Sequence, residues 1–195
     1  MIAEAVRRSP LVDYRQRFVA LSAATRGELS IRELPYLTQV NFRTHPNDSS
    51  TLQRIASSLE FALPVVPNTV TTGGDRRALW LAPDEWLVVG PEDQEKALVQ
   101  CLLDGLAGAF GSIVDVSANR TVLKIGGPNA RDLLAHGVPI DLDGRSFGFG
   151  HCAQSLLAKA PMIIERVSDD HDFHVYVRSS FAGYLADWLL DAASE

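Results

Sequence analysis

The segment Tyr36-Leu37-Thr38-Gln39-Val40-Asn41-Phe42 is apolar at 36, 40 and 42, the two-residue period of a strand with one face buried. Just beyond it, Asn47-Asp48-Ser49 supplies side-chain acceptors for the free amides of a helix start. The helix they open carries Leu52, Ile55, Ala56 and Leu59 on one face. The same order recurs in the second half. Thr121-Val122-Leu123-Lys124-Ile125 reads as a strand, and Gly127-Pro128 opens a helix holding Ala130, Leu133 and Leu134.

Each strand–helix pair is followed by a β-rich stretch and then an amphipathic helix. In the first half, Thr69 to Thr72, the turn Gly73-Gly74-Asp75 and Ala78 to Leu81 form a predicted hairpin, its glycines free to take positive φ. Pro83-Asp84 turns the chain into Trp86-Leu87-Val88-Val89. Gly90-Pro91-Glu92-Asp93 then reads as a helix start, with proline in the first turn and acids at the positive dipole end. The helix over 94–107 has the stripe Leu98, Cys101, Leu102 and Leu106. In the second half, Ile113 to Val116 is a strand before Thr121, and Ala153 to Ala158, Met162 to Val167 and Phe173 to Val177 are three more. The closing helix, over 180–192, spaces Phe181, Tyr184, Leu185, Trp188, Leu189 and Ala192 along one face. A further short helix falls near Leu11 to Ala23. The layout predicts an α+β fold of largely antiparallel sheets covered by amphipathic helices and internally duplicated. One domain spans 1–195, with pseudo-repeats over about 29–108 and 112–193.

Charge and cysteine usage narrow the function. The net charge is −6, and the only basic runs are the pairs Arg7-Arg8 and Arg76-Arg77, so nucleic acid, which needs a basic face, is not an expected partner. The apolar stretches are broken by charge before reaching membrane-spanning length. The opening Met1 to Arg8 lacks the apolar run of an export signal. Cys101 and Cys152 lie far apart, outside any CxxC spacing, as expected of reduced thiols in the cytoplasm.

Self-sufficient catalysis has little support in the residues. Gly73-Gly74 and Gly126-Gly127 belong to no phosphate-binding pattern. Asp169-Asp170-His171-Asp172-Phe173-His174 has metal-ligand residue types but the arrangement of a solvated hairpin turn. His151 and Cys152 are neighbours on an extended strand, so their side chains point to opposite faces, and a packed thiol is the expectation there. The polar loop Asp115-Val116-Ser117-Ala118-Asn119-Arg120 admits two readings. It pairs its own groups, with Arg120 on Asp115, or it presents a recognition surface. Trp80, Trp86 and Trp188 read as core or interface anchors.

Five stretches together resemble the gamma subunits of heterotetrameric sarcosine oxidases: Arg32 to Asn41, Ala78 to Leu87, Asp115 to Thr121, Gly150 to Gln154 and Val175 to Leu185. The resemblance runs from about Ser9 to Ala193. It implies an assembly of alpha, beta, gamma and delta subunits that demethylates sarcosine to glycine. FAD, FMN, NAD, zinc and tetrahydrofolate belong to the other subunits, and gamma carries no catalytic, cofactor or metal residues. It also implies a fold similar to the folate-binding domain of glycine-cleavage T-proteins and tRNA-modification GTPases. Asp115, Asn119, Arg120, Glu85 and Trp86 are then the interface candidates. Two alternatives remain at this point. One is a folate-binding module that uses Asp115 or Glu85 to pair with a pterin. The other is the same subunit in a related complex acting on another N-methyl amine, such as N-methylglutamate or dimethylglycine.

Overall fold

A computed structural model describes residues 7–169 and 171–194. The reading of Met1 to Val6 as lacking an export signal, and Asp170 of the acidic turn, lie outside the described residues. A 3₁₀ turn (Val12–Tyr14) leads into α1 (Arg15–Ala24), then β1 (Ser30–Leu34), β2 (Leu37–Thr44) and α2 (Ser49–Leu59). The chain continues through β3 (Val70–Gly73), β4 (Arg76–Ala82), β5 (Glu85–Glu92), α3 (Glu95–Leu106) and β6 (Gly111–Asp115). The second half holds β7 (Arg120–Gly126), α4 (Ala130–Ala135), β8 (Cys152–Leu157), β9 (Ala160–Arg166), β10 (Phe173–Arg178) and α5 (Ser179–Ala192).

Two five-stranded sheets result, in the orders β3-β4-β5-β2-β6 and β8-β9-β10-β7-β1. The orders correspond strand for strand, with one exchange. β1 precedes β2 in the chain yet pairs with β7, while β6 precedes β7 yet pairs with β2. Each half therefore lends its leading strand to the other half's sheet, and neither sheet is complete without both halves.

Three apolar layers hold the sheets and helices together. Val40, Phe42, Trp86 and Val88 of the first sheet pack on Ile55, Leu59, Leu98 and Leu102 of α2 and α3. Leu123, Ile164, Val175 and Val177 of the second sheet pack on Leu133, Leu185 and Leu189 of α4 and α5, with Phe18 of α1 alongside. Between the sheets, Leu79, Leu87 and Val89 meet Val122, Ile163 and Tyr176. Strand alternation is the cause: Leu87 and Val89 face the other sheet while Trp86 and Val88 face the helices. Burying both faces makes the central strands apolar throughout, as in β5, where Trp86 to Gly90 are all buried.

Three expectations differ from the structure. Gly90-Pro91-Glu92 ends β5 rather than starting a helix, and α3 begins at Glu95 after Asp93 takes φ +61°. Pro91 is tolerated because the register jumps there: Thr38 faces Gly90 while Leu37 faces Glu92, so the residue without an N–H falls in the bulge. Tyr36 sits in the β1–β2 turn at φ +61°, outside the strand whose alternation it was expected to begin. The buried stripe of α5 is Ala182, Leu185, Ala186 and Leu189, with Phe181 and Tyr184 at the surface. The two alanines let the helix approach the sheet closely, which the larger aromatics would prevent.

Candidate functional site

Polar groups enter the layer between the sheets at two ends, one closed and one open. At the closed end, β9 and β10 place Glu165 directly opposite His174, and β4 brings Arg77 across from the other sheet. The Tyr176 hydroxyl donates to Glu165 Oε2 at 2.7 Å and Arg77 Nη1 to Oε1 at 3.1 Å. His174 Nδ1 lies 3.7 Å from the same carboxylate and 3.3 Å from Arg77 Nη1. Glu165 is only 2% exposed. Burial alone would push its carboxyl up, but the His174 ring, the Arg77 charge and the Tyr176 hydroxyl outweigh burial and bring it below the ordinary range. Tyr176 moves the other way, pushed well up by burial and by the Glu165 charge. The cluster borders a cleft of about 800 Å³ that also reaches Lys124, His151 and Arg166. Arg166 itself is spent on backbone, donating to the carbonyls of Phe147 and Ser168 at 3.0 and 3.2 Å.

The acidic turn and the His151–Cys152 pair are placed separately. In the acidic turn, Asp172 pairs with Lys124, and His174 turns into the inter-sheet layer. Among the described residues no three His, Cys, Asp or Glu side chains converge to hold a metal. Cys152 is buried with Sγ 3.5 Å from the carbonyls of Thr69 and Trp80, and burial pushes its thiol up to about 12. His151 instead sets its ring edge-on to Phe147, 6.0 Å away. Cys152 and His151 therefore turn to different partners and form no thiol–imidazole pair.

At the open end stands the loop joining β6 to β7. Asp115 Oδ1 accepts from the Ser117 amide and hydroxyl at 2.9 and 2.6 Å, closing its own turn. Gln39 fixes the loop from β2: its carbonyl accepts from the Val116 amide at 2.8 Å and its Nε2 donates to the Arg120 carbonyl at 3.1 Å. Asn119 is exposed and its carbonyl receives the Ser179 amide at the start of α5. Arg120 does not pair with Asp115. Half-buried, it lines a pocket of about 480 Å³ together with Tyr36, Lys96, Ser117 and Ser179. Burial, and then the neighbouring Arg178, pull its pKa down, against a smaller opposing pull from Glu85. Glu85 approaches from β5 with Oε1 held by Asn41 Nδ2 at 2.7 Å.

The five sequence candidates therefore separate. Asp115, Asn119 and Arg120 share one loop, and Glu85 faces Arg120 from the opposite sheet. Trp86 is a correction: it is 1% exposed, packs on Phe42 and donates from Nε1 to the Pro64 carbonyl at 2.7 Å. Its side chain offers no surface to a partner, because adjacent strand residues point to opposite faces. The Glu165 cluster was not among the candidates. Its signal was a Glu-Arg pair ending the otherwise apolar run Met162-Ile163-Ile164.

This chain, with its two helix-backed antiparallel sheets, falls in the T-protein class of fold. The glycine cleavage system aminomethyltransferase T of Bartonella henselae matches with a TM-score of 0.72 over 95% of this chain and 57% of that one, at 13% identity. That likeness is one of fold. A chain of the heterotetrameric sarcosine oxidase of Corynebacterium sp. U-96, solved in complex with pyrrole 2-carboxylate, matches with a TM-score of 0.86 and 32% identity over 97% of this chain and 96% of that one. Residues 43–195 match the sarcosine oxidase, gamma subunit family. The sarcosine oxidase gamma subunits of Corynebacterium sp. (strain P-1) and Arthrobacter sp. are 34% and 33% identical over 191 residues, covering 97% of this chain and 91% of each relative. The chain belongs to the sarcosine oxidase gamma subunit family.

Proposed function

We propose that this chain is the non-catalytic, scaffolding gamma subunit of a cytoplasmic heterotetramer that oxidatively demethylates sarcosine, assembled with alpha, beta and delta subunits. The observation that carries the reading is the near-complete likeness, in length and in fold, to a chain of a heterotetrameric sarcosine oxidase. In this reading FAD, FMN, NAD, zinc and the tetrahydrofolate acceptor belong to the other subunits. The polar groups of this chain are consistent with that division, since Glu165, Cys152 and Asp115 are all tied to their own chain. No helix among the described residues is long and apolar enough to cross a membrane.

The surface supports docking. β6 lies at the edge of its sheet, and Phe110 and Val114 are 83% and 48% exposed. Such groups suit the apolar part of an obligate interface. The loop Asp115 to Arg120 and Glu85 continue that surface as its polar part. The alternative of a folate pocket built on Asp115 or Glu85 has less support, because one carboxylate closes its own turn and the other is held by Asn41.

Co-expression with candidate alpha, beta and delta chains, followed by mass and flavin absorbance of what co-purifies, tests the reading. The expected result is a yellow complex of four chains and a colourless isolated gamma. A monodisperse chain that ignores the other three would overturn it.

A further inference from the structure

We propose that Arg120 and Arg178 form the seat for a carboxylate side chain of a partner subunit. This rests on the scaffold reading above and specifies the chemistry of one contact. β7 begins at Arg120, β10 ends at Arg178, and the register sets the two residues directly opposite each other. Like charges facing across two strands destabilise a sheet, and among the described residues no carboxylate pairs directly with either arginine. Other arginines are closely paired: Arg7 with Asp93 at 2.8 Å, Arg17 with Asp187 at 2.7 Å, Arg43 with Asp84 at 2.7 Å and Arg77 with Glu165 at 3.1 Å. Among the described residues Arg120 and Arg178 have no carboxylate within 4.0 Å. Glu85, which opposes the Arg120 charge, is spent on Asn41.

The surroundings favour a protein carboxylate over a free anion. The pocket lining carries both signs, with Arg7, Arg8 and Lys96 beside Glu95 and Asp115. A cage for a small anion would exclude acids, whereas a mixed rim suits a protein surface that brings charges of its own. The guanidinium of Arg120 is already partly desolvated, so a docking carboxylate meets a donor fork that has lost part of its water. A planar fork also fits a carboxylate with two parallel bonds.

The test is run on the assembled complex, with wild type, Arg120→Ala, Arg120→Lys and Arg178→Ala in the gamma position. Retention of gamma is measured by gel filtration at rising salt, alongside the melting temperature of each isolated chain. Arg120→Ala is expected to weaken gamma binding by about 30-fold or more, Arg178→Ala by less, and Arg120→Lys to recover part of the loss. The isolated Arg120→Ala chain should melt no lower than wild type, because a like-charge pair is gone. Wild-type retention by Arg120→Ala at every salt concentration would overturn the proposal while leaving the scaffold reading intact. So would a parallel loss of melting temperature and retention, which would mark a folding role. Inorganic phosphate is titrated into the isolated chain as the third arm. Saturable binding abolished by Arg120→Ala, with assembly unchanged, would reassign the seat to a free anion. Failure of the wild-type chain to assemble would instead strike the scaffold reading itself.

Discussion

The two halves build the inter-sheet layer from the same strands but with different chemistry. On β4 and β5 the facing pair Leu79–Leu87 is wholly aliphatic. On β9 and β10 the facing pair is Glu165–His174, with Tyr176 behind it and Arg77 reaching over from the first sheet. Both pairs are buried, and both sheets have the same strand order. The Leu79–Leu87 pair thus shows that a facing pair in this layer can do without charge, although Arg77 of the same strand β4 lends one to the cluster. Burying an ion pair costs desolvation that its attraction repays only with good geometry and full hydrogen bonding. The second half meets those terms and gains from the arrangement mainly as long as every member is present.

The largest expected effect comes from breaking that condition. Glu165→Leu alone should cost about 3–5 kcal/mol in urea denaturation, because it strands Arg77 and the Tyr176 hydroxyl. The triple variant Arg77→Met, Glu165→Leu, His174→Leu should recover the part of that loss that comes from Arg77, with the Tyr176 hydroxyl still unpaired. A triple variant as unstable as the single one would mean that the stranded Arg77 is not a source of the loss. Acid titration sharpens the same point. The folded carboxyl of Glu165 lies below its ordinary value, so it stabilises the fold above the unfolded pKa of about 4.3. That contribution is lost as pH falls through the folded value. Melting curves from pH 7 to pH 3 should show an acid-side decline in wild type that is smaller in Glu165→Gln and in the triple variant, the remainder coming from Asp48, Asp141, Asp143 and Asp187, whose carboxyls are also lowered.

Local patterns in the sequence carried the order of strands and helices, because each element's periodicity is set by its own neighbours. Asp48 does cap α2, accepting from the Thr51 amide, as the Asn47-Asp48-Ser49 signal requires. The strand exchange was not legible, since β1 and β7 are paired across about ninety residues and nothing in either strand names its partner. Pro91 misled for a related reason: only the register with β2 reveals that its missing N–H falls in a bulge. Within the candidate site, Asp115 to Arg120 are together because they are contiguous, while the approach of Glu85 depends on how the sheets stack. Trp86 was avoidable, as strand alternation already forbids Glu85 and Trp86 from sharing one surface.

The helical layers offer a second, smaller contrast. In the first half α3 crosses α2 at Gly105, where an added Cβ would lie 2.9 Å from Ile55 Cδ1 and 3.0 Å from Ile55 Cα. In the second half Gly137, just after α4, has the Trp188 ring of α5 in that role, with Cη2 at 2.6 Å and Cζ2 at 2.8 Å. Backbone stands at 3.0 Å in both places, Ile55 Cα at Gly105 and the Ala158 amide nitrogen at Gly137, so the two sites differ mainly in the side chain that must give way. Gly105→Ala and Gly137→Ala should therefore each cost about 1–3 kcal/mol, as read from denaturation midpoints. A clearly larger loss at Gly137 would mean that the Trp188 ring is the more rigid neighbour.

The smallest effect is kinetic and compares the two cysteines, one in each half. Cys101 on α3 is half-buried and donates Sγ–H to the Ser58 carbonyl at 2.9 Å, and burial pushes its thiol up. Cys152 at the start of β8 lies inside the inter-sheet layer, with its thiol pushed up to about 12. Since the thiolate is the reacting species, both should label more slowly at pH 8 than in the unfolded chain. The difference between them reports access. Cys101 can be reached by small fluctuations of an exposed helix, whereas Cys152 needs the two sheets to part. In a urea series the labelling of Cys152 should follow global unfolding, while that of Cys101 should stay largely independent of denaturant at low concentration. Equal native-state rates would show that the sheets open locally around β8. β8 is the edge strand farthest from β1 in its sheet, so such opening would part Cys152 from the Thr69 and Trp80 carbonyls while leaving the exchanged strands β1 and β6 paired.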